Sequence, residues 1–135
     1  MTYQELQSTD DISYTVPTKI NENFRKRSFL NRAAKSADFT VWADDTDGSP
    51  LDMYLVTTAA ATIVATLPSH ASGDASLGRT VTVMKADAGA GTVRITPDGS
   101  ETINGTASYV ALSSQFDYRV LVYDGSAGWV VIGSN

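Results

Sequence analysis

Gly78-Arg79-Thr80-Val81-Thr82-Val83-Met84-Lys85 and Thr92-Val93-Arg94-Ile95-Thr96 are joined by the short segment Ala86-Asp87-Ala88-Gly89-Ala90-Gly91, and this stretch decides the fold class. Val, Ile and Thr recur with a period of two, the spacing that sends alternate side chains to opposite faces of a strand. Glycine between two such runs predicts a hairpin. Working outward, Tyr118–Tyr123 and Trp129–Ile132 have the same character downstream, and Phe39–Ala43, Met53–Thr57 and Ala61–Leu67 have it upstream. Asp98-Gly99, Asn104-Gly105 and Asp124-Gly125 supply turn chemistry between them. The pattern predicts a mainly β fold, an antiparallel β-sandwich or jelly-roll-like domain of about seven or eight strands, over residues 38–135. No tandem repeat or low-complexity linker interrupts it.

Residues 1–37 differ in kind. Met1–Tyr14 is polar with little periodicity and predicts an extended arm. Pro17 and Thr18 offer a helix start, since proline suits a first helical turn and threonine can cap free amides. Ile20, Phe24, Leu30, Ala34 and Ala37 then share one side of a helix expected from about Thr18 to Lys35. Its apolar stripe is narrow, so the helix needs a partner surface to cover Phe24, Phe29 and Leu30.

The chain has 135 residues, 42% of them hydrophobic, enough for one domain with a core of its own. With no cysteine there is neither a disulfide framework nor a thiolate metal site. No signal-peptide run opens the sequence, and no stretch approaches the roughly 18 apolar residues that span a bilayer. No membrane partner is expected, and synthesis in a cytoplasm is.

Net charge is −5, unevenly spread. Lys19, Arg25, Lys26, Arg27, Arg32 and Lys35 crowd one segment, while beyond Asp38 the cations are Arg79, Lys85, Arg94 and Arg119. A cationic patch favours an anionic surface, and an acidic β-domain stays soluble. The same basic residues could equally do no more than solvate a helix.

Residues able to do chemistry are few. His70 is the single histidine, in a loop of small polar residues, so no catalytic triad can be built. Asp44, Asp45 and Asp47 before Gly48 imitate a calcium loop, but Ala43 stands where the first ligand belongs and Tyr54 where the bidentate glutamate belongs. Asn104-Gly105-Thr106 reads as a turn, and the 88–91 glycines open no helix that could cradle phosphate. No cofactor, metal or catalytic residue is expected, and the chain is not read as an enzyme. Trp42, Trp129 and the tyrosines are able to stack on sugar rings, although buried aromatics usually belong to a core.

Strand faces follow from parity. Val93 and Ile95 oppose Arg94, and Val120 and Val122 oppose Leu121 and Tyr123. Apolar groups on both faces of Tyr118–Tyr123 mean an inner strand covered by the N-terminal helix, or a strand meeting another subunit. On the second reading Leu121, Tyr123 and Trp129 are subunit-interface candidates.

Thr66-Leu67-Pro68, Gly78–Lys85, Thr92–Pro97, Glu101-Thr102-Ile103-Asn104-Gly105 and Tyr123-Asp124-Gly125 with Trp129 together resemble a β-module of accessory structural proteins in tailed bacteriophages. Ile20-Asn21-Glu22-Asn23-Phe24 is similar to a short pattern near the N-terminus of phage tail and baseplate proteins. The resemblance implies a virion protein, commonly a homotrimer, whose β-domains face outward while the N-terminal segment holds the particle. A capsid decoration (cement) or head-spike protein fits the short chain better than a whole fibre. Its partners would be itself and the major capsid protein or another virion protein, with no nucleic acid. Ile20, Phe24, Arg25, Arg27, Phe29, Leu30 and Arg32 would form the anchor. A tail fibre, baseplate or adsorption protein touching a host-surface glycan, and a free carbohydrate-binding module, are the other readings.

Overall fold

The computed structural model describes residues 32–43, 51–70, 78–126 and 128–135, all within the unit Asn31–Asn135. The fold is mainly β, with ten strands among the described residues: β1 Arg32–Lys35, β2 Phe39–Thr40, β3 Met53–Val56, β4 Ile63–Thr66, β5 Thr80–Lys85, β6 Val93–Thr96, β7 Thr102–Ile103, β8 Val110–Leu112, β9 Tyr118–Tyr123 and β10 Gly128–Ser134. They form two sheets, one ordered β1-β3-β5-β9-β10-β7 (sheet I) and one ordered β2-β4-β6-β8 (sheet II).

The expected antiparallel pairing is corrected. The chain alternates between the sheets, so β1-β2, β3-β4 and β5-β6 stack as successive rungs, and β1-β3-β5 and β2-β4-β6 are parallel ladders. Only β5-β9, β9-β10 and β6-β8 run antiparallel, while β7 joins β10 in parallel. This mixed pairing departs from a jelly roll, which is antiparallel throughout. The glycine-rich segment between β5 and β6 is therefore no hairpin; it crosses from one sheet to the other.

A second correction concerns Arg32–Lys35, expected as the end of a helix. These residues pair with Met53–Val56 and alternate exposed and half-buried. A period of two suits them because Ala33 packs against the core, and the ladder to β3 outweighs the helical propensity of Arg, Ala and Lys. The β-fold thus begins before the expected boundary at residue 38. The remainder of that helix, the arm, and Ile20, Phe24, Arg25, Arg27, Phe29 and Leu30 lie outside the described residues.

One core lies between the sheets. Sheet I contributes Tyr54, Val56, Val81, Val83, Leu121, Tyr123 and Trp129, and sheet II contributes Ile63, Ala65, Val93, Ile95 and Leu112. Each fully buried aliphatic side chain here is worth roughly 1.5–3 kcal/mol. The expected Phe39–Ala43 strand stops at Thr40 because Trp42 sits at φ 66°, a left-handed turn that breaks the ladder. Tyr54 Oη accepts the Trp42 amide hydrogen at 2.7 Å and Leu51 O accepts the indole hydrogen at 2.8 Å, which fixes that turn.

Candidate interaction surface and buried polar sites

The turns at one end of the rungs stack on each other, and aspartates there satisfy backbone amides. Asp38 Oδ1 accepts from Val64 N at 2.8 Å, and Asp117 Oδ2 accepts from Ser113 N and Ser114 N at 3.0 and 2.8 Å. Asp87 does most: Oδ1 accepts from Thr58 N and Thr58 Oγ1, and Oδ2 from Ala59 N and Gly89 N. It thereby ties the β3–β4 turn to the β5–β6 turn.

Lys85 completes this clamp from inside. Parity puts it on the same face as Val81 and Val83, and it is fully buried. Its ammonium donates to Asp87 O at 2.6 Å, Gly89 O at 2.8 Å and Asp87 Oδ1 at 3.1 Å. A buried ammonium is tolerable only with such a set of acceptors. Amides of Thr58 and Ala59, together with Lys85, hold the Asp87 carboxyl far below its ordinary range, the Thr58 bond contributing most. The side-chain hydrogen bonds of the pair all go to the β3–β4 and β5–β6 turns, an architectural role.

At another place in the core, Arg79 lies 3.5 Å over the Trp42 ring, Trp42 packs on Trp129 at 5.5 Å, Trp129 meets Tyr123 edge-on at 5.4 Å, and His70 stacks on Tyr123 at 6.1 Å. Glu101 Oε1 accepts from His70 N at 2.7 Å. Glu101 Oε2 and Trp129 Nε1 are buried without a hydrogen-bonding partner. One acceptor and one donor left over in a core ask for an ordered water. Among the described residues no group of three His, Cys, Asp or Glu could hold a metal ion.

The sugar-stacking candidates fall differently from expectation. Trp42 and Trp129 are 2% and 0% exposed and have no free ring face to offer a ligand. Tyr109 is exposed instead, with the Arg94 guanidinium 4.6 Å over its ring beside sheet II. Asn104 is a turn residue: at φ 52° and followed by Gly105 at φ 78°, it reverses the chain after β7. Its Oδ1 accepts from Val131 N at 2.9 Å, locking the turn to β10. Asp44, Asp45 and Asp47 lie outside the described residues.

Leu121, Tyr123 and Trp129, expected at a subunit interface, are all inside the chain's own core. The parity of β9 was legible, but the apolar side that faces away from the core is the other one. Val122 pairs with Thr80 on one side and Val130 on the other, Val120 with Thr82 and Gly133, and Tyr118 with Met84. Farther along, Leu55 pairs with Met84 and Ala34, and Met53 with Thr82 and Arg32. The outward face of sheet I is thus a field of apolar and threonine side chains with Arg32 at its margin. Ile132, at an irregularity in the β9–β10 ladder, is 61% exposed, and Val130 is 37% exposed. Sequence reasoning passed over Lys85 and this face. Lysine at inward parity was the available signal for the first, and the larger side chains at Leu121, Tyr123 and Trp129, better suited to a core, for the second.

The chain matches no known family model, and comparison with curated proteins gives no match.

Proposed function

We propose that the chain is a structural protein of a tailed-phage virion, a trimeric capsid decoration or cement protein that binds the outer surface of the head and stabilises it. The observation that carries this reading is the outward face of sheet I, an apolar and threonine surface on a scaffold whose buried Lys85 serves its own turns. Such a part is suited to packing against protein. The sandwich-like module and its order of motifs add the virion context through the resemblance set out above. In this role the N-terminal segment, with Ile20, Phe24, Arg25, Arg27, Phe29 and Leu30, grips the shell, and Arg32, on β1 of the β-domain, adds a cation at the margin of sheet I. Three copies joined through their β-domains turn three weak grips into one strong attachment, because after the first has bound the others act at high effective concentration.

Electron microscopy of intact particles carrying the tagged chain tests the proposal. Density on the head surface, at points where three copies meet, is expected. Density at the tail tip would transfer the protein to the second reading, an adsorption protein. That alternative draws on the exposed Tyr109 with Arg94 above it, a ring and guanidinium able to meet a host-surface glycan. A particle free of the protein would overturn both.

A further inference from the structure

We propose that the outward face of sheet II carries a binding site for a carboxylate-bearing saccharide, centred on Arg94 and Tyr109. The site gives the second reading above its ligand class, and rests on that reading for the glycan itself.

Parity and register place the groups. Ile63, Ala65, Val93, Ile95 and Leu112 are buried, so Val64, Thr66, Arg94, Thr96 and Ala111 point away from the core. Val64 and Ala111 are in register with Arg94 on either side, and both are too short to cover a guanidinium. Arg94 is exposed and lies 4.6 Å from the centroid of the Tyr109 ring, while Tyr109 keeps 47% of its surface open. In the next row Thr96 is in register with Thr66, and Thr66 with Thr40, so hydroxyls follow one another at the strand spacing of roughly 4.8 Å. Because Ile95 pairs with Val110, that row runs toward Tyr109.

Charge selects the ligand. Other cations serve the fold: Arg79 covers Trp42, Lys85 sits in the clamp and Arg119 donates to Tyr118 O. Arg94 has neither a carboxylate nor a hydrogen-bond acceptor among the described residues. Stacking on a ring engages the flat side of a guanidinium and leaves its in-plane N–H donors, which meet a carboxylate in two parallel bonds. The ring also holds the side chain in place, which lowers the cost of ordering it on binding. In the same row Asp38, beyond Val64, is already engaged by Val64 N. A lone guanidinium on a face of threonine, valine and alanine, in a chain of net charge −5, complements one acid group on an otherwise neutral ligand. Nucleic acid calls for several cations to displace its counterions, and this face does not supply them. An acidic sugar brings the three parts the face addresses: a carboxylate for Arg94, an apolar C–H side for the Tyr109 ring and hydroxyls for the threonines.

The test titrates the full-length chain with a short oligogalacturonate and with its methyl ester, which keeps the sugar and removes the charge, and follows both by NMR. The acid should bind saturably, shifting the Arg94 Nε–H, the Tyr109 ring and the amides of Thr66 and Thr96, and the ester should bind about tenfold more weakly. Arg94→Gln should lower affinity for the acid about tenfold and bring acid and ester together, whereas Tyr109→Ala should weaken both alike. Both side chains are exposed, so the rest of the spectrum should stay in place. Equal affinity of the parent for acid and ester would overturn the carboxylate and leave a glycan-binding face standing. Absence of binding by either sugar at roughly millimolar concentration would overturn the site together with the glycan contact of the second reading. Acid binding that Arg94→Gln leaves unchanged would overturn the placement, and tighter binding of a single-stranded oligonucleotide than of the acid would overturn the ligand class.

Discussion

The rungs β1 to β6 and the reversed strands β8 to β10 use the same residue types and the same alternation, yet they are held together differently. Among the reversed strands β9 and β10 form a ladder closed by a turn between sequence neighbours, at Asp124-Gly125, whereas β8 pairs with β6 and its Ser113–Asp117 turn crosses to β9 in the other sheet. In the rungs each strand pairs with one two elements away, and the turn between sheets rests on the turn of the rung before it. Gly91 N donates to Ala59 O at 2.9 Å and Ala86 N to Val56 O at 2.8 Å. Local turn chemistry is enough for the first arrangement. The second also requires a column of turns, with its own glycines and a buried lysine paired with a half-buried aspartate.

The strongest way to break that contrast is Lys85→Met, which keeps the apolar stem and removes the charge from the column. Asp87 O and Gly89 O then lose their donor while Asp87 keeps its turn amides, and the largest drop in urea midpoint is expected here, since a buried acceptor left unsatisfied costs about 1–3 kcal/mol. A change below about 1 kcal/mol would show that the turns hold without the clamp. The pair also gives a pH signature. The Asp87 carboxyl is depressed from an ordinary 3.8, so its contribution is full above that value and is lost as pH falls below it toward the folded-state value. Parent stability should decline across that acid range by a part that Lys85→Met shows less strongly.

Gly91→Ala comes next. A Cβ there would stand 2.0 Å from Ala61 O and 2.8 Å from Thr58 Cβ, so stacked backbone must separate, at a cost of roughly 1–3 kcal/mol. Gly99→Ala is the comparison: at φ 53° with open space around it, it measures backbone conformation alone, roughly 1 kcal/mol. Equal thermal shifts for the two would mean that the turns do not press on each other. The smallest effect belongs to the reversed half, where Asn104→Ala removes the bond to Val131 N and should cost about 1 kcal/mol.

The contrast also explains what could be read in the sequence. Strands over Thr80–Lys85, Val93–Thr96 and Tyr118–Tyr123 were legible because alternation is local, and turns at Asn104 and Asp124 because their geometry needs those residues. Pairing was not legible from Ala88-Gly89-Ala90-Gly91. Glycine there answers to Ala59 and Ala61 in the neighbouring rung, about thirty residues away, whereas glycine in a hairpin answers to its own dihedral angles. Arg32–Lys35 was misread for a related reason: four residues with helical preference become a strand through a partner at Met53–Val56. On β9 parity was certain and the side was not, since Val120, Leu121, Val122 and Tyr123 are apolar on both.

The order of strands gives the ladder a direction of growth. Among the described residues β1 and β2 form the edge of both sheets at one end, whereas at the other end the antiparallel β8 and β9 lie across the last rung. A further strand–turn–strand unit inserted before Arg32 would find matching parallel edges in both sheets, and one inserted after β6 would have to displace the strands that terminate the stack. The described rungs would therefore accept repetition at the β1–β2 end and resist it at the β8–β9 end, so chains with more rungs should share the β5–β10 arrangement and differ in how many rungs precede it.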